Sequence, residues 1–74
     1  MNSFVNNYER ISRFQNKKCF FGIGLYGKMK IFYKEFNTNF DMEKEIEGYS
    51  IVKKYYTVPE MLSKIDNTIL YEYL

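Results

Sequence analysis

Runs of apolar residues alternate with polar stretches along the chain, and the middle of the sequence carries the densest apolar pattern. Cys19 to Tyr26 and Met29 to Phe36 are rich in aromatic and β-branched residues and flank Gly27-Lys28, which predicts two strands of one hairpin. Parity sets the register. With an even-numbered loop, Leu25 faces Lys30 and Phe21 faces Lys34, so both faces are mixed. With an odd loop such as Tyr26-Gly27-Lys28, Leu25 meets Met29, Ile23 meets Ile31 and Phe21 meets Tyr33, so one face is wholly apolar. A one-residue slip exchanges the faces, and burial favours the odd loop. The opposite face then carries Phe20, Gly22, Gly24, Lys30, Phe32 and Lys34.

Towards the N-terminus, Phe4, Tyr8 and Ile11 recur at four- and three-residue steps. This predicts a short amphipathic helix over Ser3 to Phe14, with Ser3 as its cap and Asn6-Asn7 weakening it. Asn16-Lys17-Lys18 and Asn37 to Phe40 read as polar connections. Asp41 to Glu47 reads as a helical turn or as loop, ended by Gly48. Tyr49 to Tyr56 reads as a third strand, with Tyr49, Ile51 and Tyr55 on one side. Thr57-Val58-Pro59-Glu60 has the pattern of a capping box with Pro in the first turn, which predicts a helix from Val58 to about Asp66. Its stripe of Met61, Leu62 and Ile65 should pack on Phe21, Ile23, Leu25, Ile31, Ile51 and Tyr55. Thr68 to Leu74 reads as a final strand, with helix continuation to Leu70 as the competitor. The fold class that follows is α+β. One domain spans residues 1–74, with a mostly antiparallel sheet of three or four strands, a capped C-terminal helix packed on it and a short N-terminal helix.

Composition narrows the chemistry. The 74 residues include 7 Phe and 8 Tyr, enough large side chains for a core despite the short length. There is no His and no Trp, and Cys19 is the sole cysteine. An intramolecular disulfide, a Cys/His zinc site and nucleophilic catalysis through imidazole are thereby excluded. No cofactor or metal site is expected, and no enzymatic activity. No run approaches 18 apolar residues, so no membrane helix is expected. The first fifteen residues carry Glu9, Arg10 and Arg13 and no apolar export core, which together with one Cys predicts a cytoplasmic setting. Abundant Lys, Asn, Ile, Tyr and Phe with no Ala point to an AT-rich genome, such as a low-GC bacterium or its phages.

Gly22-Ile23-Gly24-Leu25-Tyr26-Gly27 matches G-x-G-x-x-G, but a strand follows it where a dinucleotide site needs a helix. It reads better as a glycine face where a neighbouring aromatic or another chain approaches closely. Asp41, Glu43, Glu45 and Glu47 read as a solvated acidic loop, and Cys19 as a small buried hydrophobe.

Charge is uneven, +5 over residues 1–36 and −3 over residues 37–74. Two readings of function follow. The first is a non-enzymatic module that binds another protein. A basic aromatic surface (Phe20, Tyr26, Lys28, Lys30, Phe32, Lys34) would steer the encounter, and Tyr55, Tyr56, Tyr71 and Tyr73 would supply anchors or a homodimer seam. In size and composition such a chain resembles phage-borne inhibitors of bacterial defence proteins, the anti-CRISPR proteins among them; no motif carries the resemblance. The second reading is a small single-stranded nucleic-acid binder that stacks bases on Phe20 and Phe32 and neutralises phosphates with Lys30 and Lys34.

Overall fold

The computed structural model describes residues 8–73, Ile65 by its backbone only. The elements in chain order are β1 (Tyr8–Arg10), β2 (Phe14–Gln15), β3 (Cys19–Tyr26), β4 (Met29–Phe36), α1 (Asn39–Val52), β5 (Met61–Ile65) and β6 (Thr68–Glu72). The strands form one antiparallel sheet in the order β1-β3-β4-β6-β5, and β2 pairs with β3 beyond the end of β1. The α+β expectation holds, with six strands in place of three or four.

The central hairpin takes the even register. Tyr26 pairs with Met29, Ile23 with Phe32 and Cys19 with Phe36. Gly27 has φ +62°, and a two-residue turn with glycine in its first central position matches the right-handed twist of the flanking strands. The odd-loop expectation assumed that one face only is buried, but here both faces are. On the helix side lie Cys19, Phe21, Ile23 and Leu25, then Lys30, Phe32, Lys34 and Phe36, then Ile69 and Tyr71. On the other side lie Phe20, Gly22, Gly24 and Tyr26 with Ile31, Tyr33, Glu35 and Leu70. Phe20 therefore does not share a face with Lys30, Phe32 and Lys34.

The helical expectations are displaced along the chain. Of the N-terminal helix, residues 3–7 lie outside the described residues, while Tyr8–Arg10 and Phe14–Gln15 are strands. Tyr49 to Tyr56 is the end of α1 and the turns after it. The α1 cap is Thr38, whose hydroxyl accepts from the Asp41 backbone N–H at 3.1 Å. Met42, Ile46 and Tyr49 recur at four- and three-residue steps and face the sheet. The capped C-terminal helix is absent: Val58 to Glu60 is irregular and Met61–Ile65 is edge strand β5. Glu60 instead bonds to Glu72 of β6, its carbonyl accepting from the Glu72 backbone N–H at 2.8 Å and its N–H donating to the Glu72 side-chain Oε1 at 3.2 Å. Sheet pairing outcompetes a local cap at this point, since a cap contributes only about 1 kcal/mol. The final strand is borne out as β6.

Two apolar clusters result. Cys19, Phe36, Met42, Ile69 and Tyr71 fill the space between α1 and the sheet. Ile31, Tyr33 and Leu70 are wholly buried on the opposite side, with Tyr8 and Tyr26 against them. Gly22 and Gly24 belong to this second side. A Cβ at Gly22 would lie 2.2 Å from the Ser12 carbonyl oxygen, and one at Gly24 3.1 Å from the Tyr8 ring. The glycine face thus admits the N-terminal segment, with Tyr8 as the aromatic ring that approaches it at Gly24.

Candidate functional site

The 14-residue helix α1 crosses only part of the sheet. Next to its C-terminal half a cleft of about 410 Å³ remains open. Phe32, Lys34 and Tyr71 form its floor, Lys44, Glu45, Gly48, Tyr49 and Val52 its helical wall, and Val58 and Pro59 the facing wall. The volume lies within the range of pockets that accept small ligands or single side chains.

The walls are tied in place. The Tyr49 hydroxyl donates to the Pro59 carbonyl at 2.8 Å and accepts from the Met61 N–H at 3.0 Å, so the helix holds the facing wall directly. On the floor, the Lys34 ammonium meets the Glu45 Oε2 at 2.7 Å, and the Tyr71 hydroxyl donates to the same oxygen at 2.8 Å. Burial by itself would raise the Glu45 pKa, but the hydrogen bonds from Lys34 and Tyr71 outweigh it and hold the carboxyl below its ordinary value. Burial, followed by the bond to Glu45, pushes the Tyr71 hydroxyl upward. Floor and wall also share a ladder of rings. Phe14, Phe21, Phe32, Tyr71 and Tyr49 follow one another with centroids 5.7, 6.4, 6.1 and 5.9 Å apart.

The last turn of α1 and the residues after it display Ile51, Val52, Tyr55 and Tyr56 to solvent, the two tyrosines 75% and 70% exposed. On the sheet, Lys30 lies over the Tyr73 ring at 5.0 Å.

The opposite side of the sheet is closed. Glu35 accepts from Tyr8, from Arg10 and, at 2.8 Å, from Arg13, while the Arg13 guanidinium stacks 4.0 Å from the centre of the Phe20 ring. Burial raises the Glu35 pKa, and the three donors more than reverse this, leaving it lowered. The Tyr33 hydroxyl caps the arrangement by donating to the Ser12 carbonyl.

This geometry places the ten sequence-derived contact residues in different settings. Phe32, Lys34 and Tyr71 meet at the cleft, and Tyr55 and Tyr56 stand exposed after the end of α1. Lys30 and Tyr73 pair on the open sheet, and Lys28 is in the exposed hairpin turn. Phe20 and Tyr26 lie on the far side. Sequence reasoning missed Lys44, Glu45, Gly48, Tyr49, Val52, Val58 and Pro59. The four-residue step from Glu45 to Tyr49 was the available signal, hidden by the assumption that Gly48 ended the element. As for bond-making chemistry, both internal carboxylates are engaged as ion-pair acceptors, and burial raises the Cys19 thiol. Among the described residues no group of three Cys, Asp or Glu side chains is placed to hold a metal, and no helix is long and apolar enough to cross a membrane. No protein family, curated protein or solved structure matches the chain.

Proposed function

We propose that the protein is a non-enzymatic binding module that acts by covering a surface of another protein. The observation that carries this reading is the exposed apolar group of Ile51, Val52, Tyr55 and Tyr56 in the last turn of α1 and just after it, of which Val52 also lines the cleft. Exposed tyrosines supply large rigid contact area together with a hydrogen-bonding hydroxyl, and such residues dominate protein interfaces. The nucleic-acid reading has less support, because Lys34 is neutralised by Glu45 and Phe20 lies on the other face of the sheet. Size and AT-rich residue choice suggest a phage- or mobile-element-encoded inhibitor of a bacterial defence protein, working in the host cytoplasm.

The test is capture by the immobilised chain from a nuclease-treated lysate of a low-GC bacterium, at about 50 and 200 mM salt. The expected result is one stoichiometric protein, retained at both salt levels and lost from the Tyr55→Ala/Tyr56→Ala variant at unchanged melting temperature. Retention of nucleic acid that nuclease or the higher salt removes, or a partner indifferent to both tyrosines, would overturn the proposal.

A further inference from the structure

Gly48 is in the interior of α1, where glycine costs roughly 0.5–1 kcal/mol relative to alanine. The two usual reasons for keeping it there are missing. Its φ is not positive, and a Cβ built on it would meet no atom within 4 Å outside the helix backbone. What Gly48 does is keep the helical wall of the cleft low. The surroundings specify what would fill that space. Phe32, Tyr49, Tyr71, Val52 and Pro59 offer an apolar enclosure, and the Lys34–Glu45–Tyr71 group on the floor has its charges matched internally. At the rim, Lys44 is only loosely paired with Glu47, at 4.0 Å, and Lys53 lies over the Tyr49 ring at 5.8 Å. Among the residues that line the cleft, Lys34 and Lys44 stand against Glu45 alone, one positive charge in excess.

The geometry points to an anchor pocket for one aromatic side chain of a partner polypeptide, with an acidic residue next to it in the partner sequence. This rests on the protein-binding reading above and identifies the chemistry of the contact. The ring enters between Phe32 and Tyr49 beside Gly48, and the neighbouring carboxylate faces Lys44 and Lys53. Because Tyr49 already pins Pro59 and Met61, the walls need no rearrangement to receive it.

Titration of the isotope-labelled full chain with N-acetyl-Phe-Asp-amide, followed by amide chemical shifts, tests the pocket without the partner. Millimolar binding is expected, with shifts confined to α1, residues 57–61 and the β4 and β6 residues of the floor. N-acetyl-Ala-Asp-amide should bind at least about fivefold more weakly and N-acetyl-Phe-Lys-amide about threefold more weakly. Gly48→Leu should abolish binding, and Gly48→Ala, which adds one carbon, should weaken it while keeping the fold. Shifts elsewhere, indifference to Gly48→Leu in a folded variant, or stronger binding of adenosine monophosphate at the same site would overturn the inference. Failure here is distinguishable from failure of the wider proposal, since capture that depends on Tyr55 and Tyr56 is read independently.

Discussion

On the face opposite the helix, Glu35 is gripped by Tyr8, Arg10 and Arg13; on the helix face, Glu45 is held by Lys34 and Tyr71. Each face buries part of one carboxylate and supplies cation and phenol to it. The two are closed by different means. The Glu35 side is closed by backbone, because the Ser12 carbonyl lies directly against Gly22 and leaves no room for a side chain. The Glu45 side is closed by a helix, which contacts the sheet through side chains and ends before it has covered the whole face. The cleft lies where the covering element is held off by side chains. That difference sorts the molecule into a sealed side that stabilises and an open side available for contact.

Several substitutions would break or sharpen this contrast. The largest effect is expected at Gly22→Ala, whose added carbon has a backbone oxygen, not a yielding side-chain tip, 2.2 Å away. A loss of about 3 kcal/mol, read from the urea midpoint, would confirm close backbone packing on the sealed side. Glu35→Gln follows, at about 2 kcal/mol, since two arginines lose a charged acceptor. On the open side two groups donate to the carboxylate in place of three, and a double-mutant cycle between Lys34 and Glu45 should give a coupling of about 1 kcal/mol. Gly48→Ala should stabilise the chain by roughly 0.5–1 kcal/mol, because the new methyl enters empty space. The Tyr55→Ala/Tyr56→Ala variant should stay within about 0.5 kcal/mol of the parent, as expected for exposed positions.

Acidity probes both carboxylates together. Their folded-state pKa values lie below the ordinary value of 4.5. The stability they contribute is therefore fully present above about pH 4.5 and is lost as pH falls through the lower folded values. Urea midpoints should drop between neutral pH and about pH 3, and Glu35→Gln/Glu45→Gln should flatten that dependence. A profile unchanged in the double variant would mean that other carboxylates carry the acid sensitivity.

The hairpin and the last strand were legible in the sequence because their signals are local: β-forming runs and a glycine at a two-residue turn. The register was not, because parity was argued as though one face alone were buried. Lys34 and Glu35 sit on opposite mixed faces only because α1 brings Glu45 to one and the N-terminal strands bring Arg10 and Arg13 to the other. Such compensation is long-range and leaves no trace in the spacing of residues 19–36. Thr57 to Glu60 shows the converse. A complete capping pattern there yields no helix, since Met61–Ile65 pairs with β6 along its length, interrupted by a register shift between Met61 and Ser63. For the cleft, Lys34, Phe32 and Tyr71 were identifiable as chemistry, whereas Tyr49 and Gly48 acquire their roles only once α1 is recognised as a single helix running through the glycine.

Cys19 lies beneath α1, 4% exposed and with its thiol raised by burial. A reagent reaches this buried thiol when the helix lifts from the sheet, so the rate of alkylation serves as a clock for that opening. Slower labelling on addition of any bound molecule would report, from the far end of the helix, that the lid had been fastened.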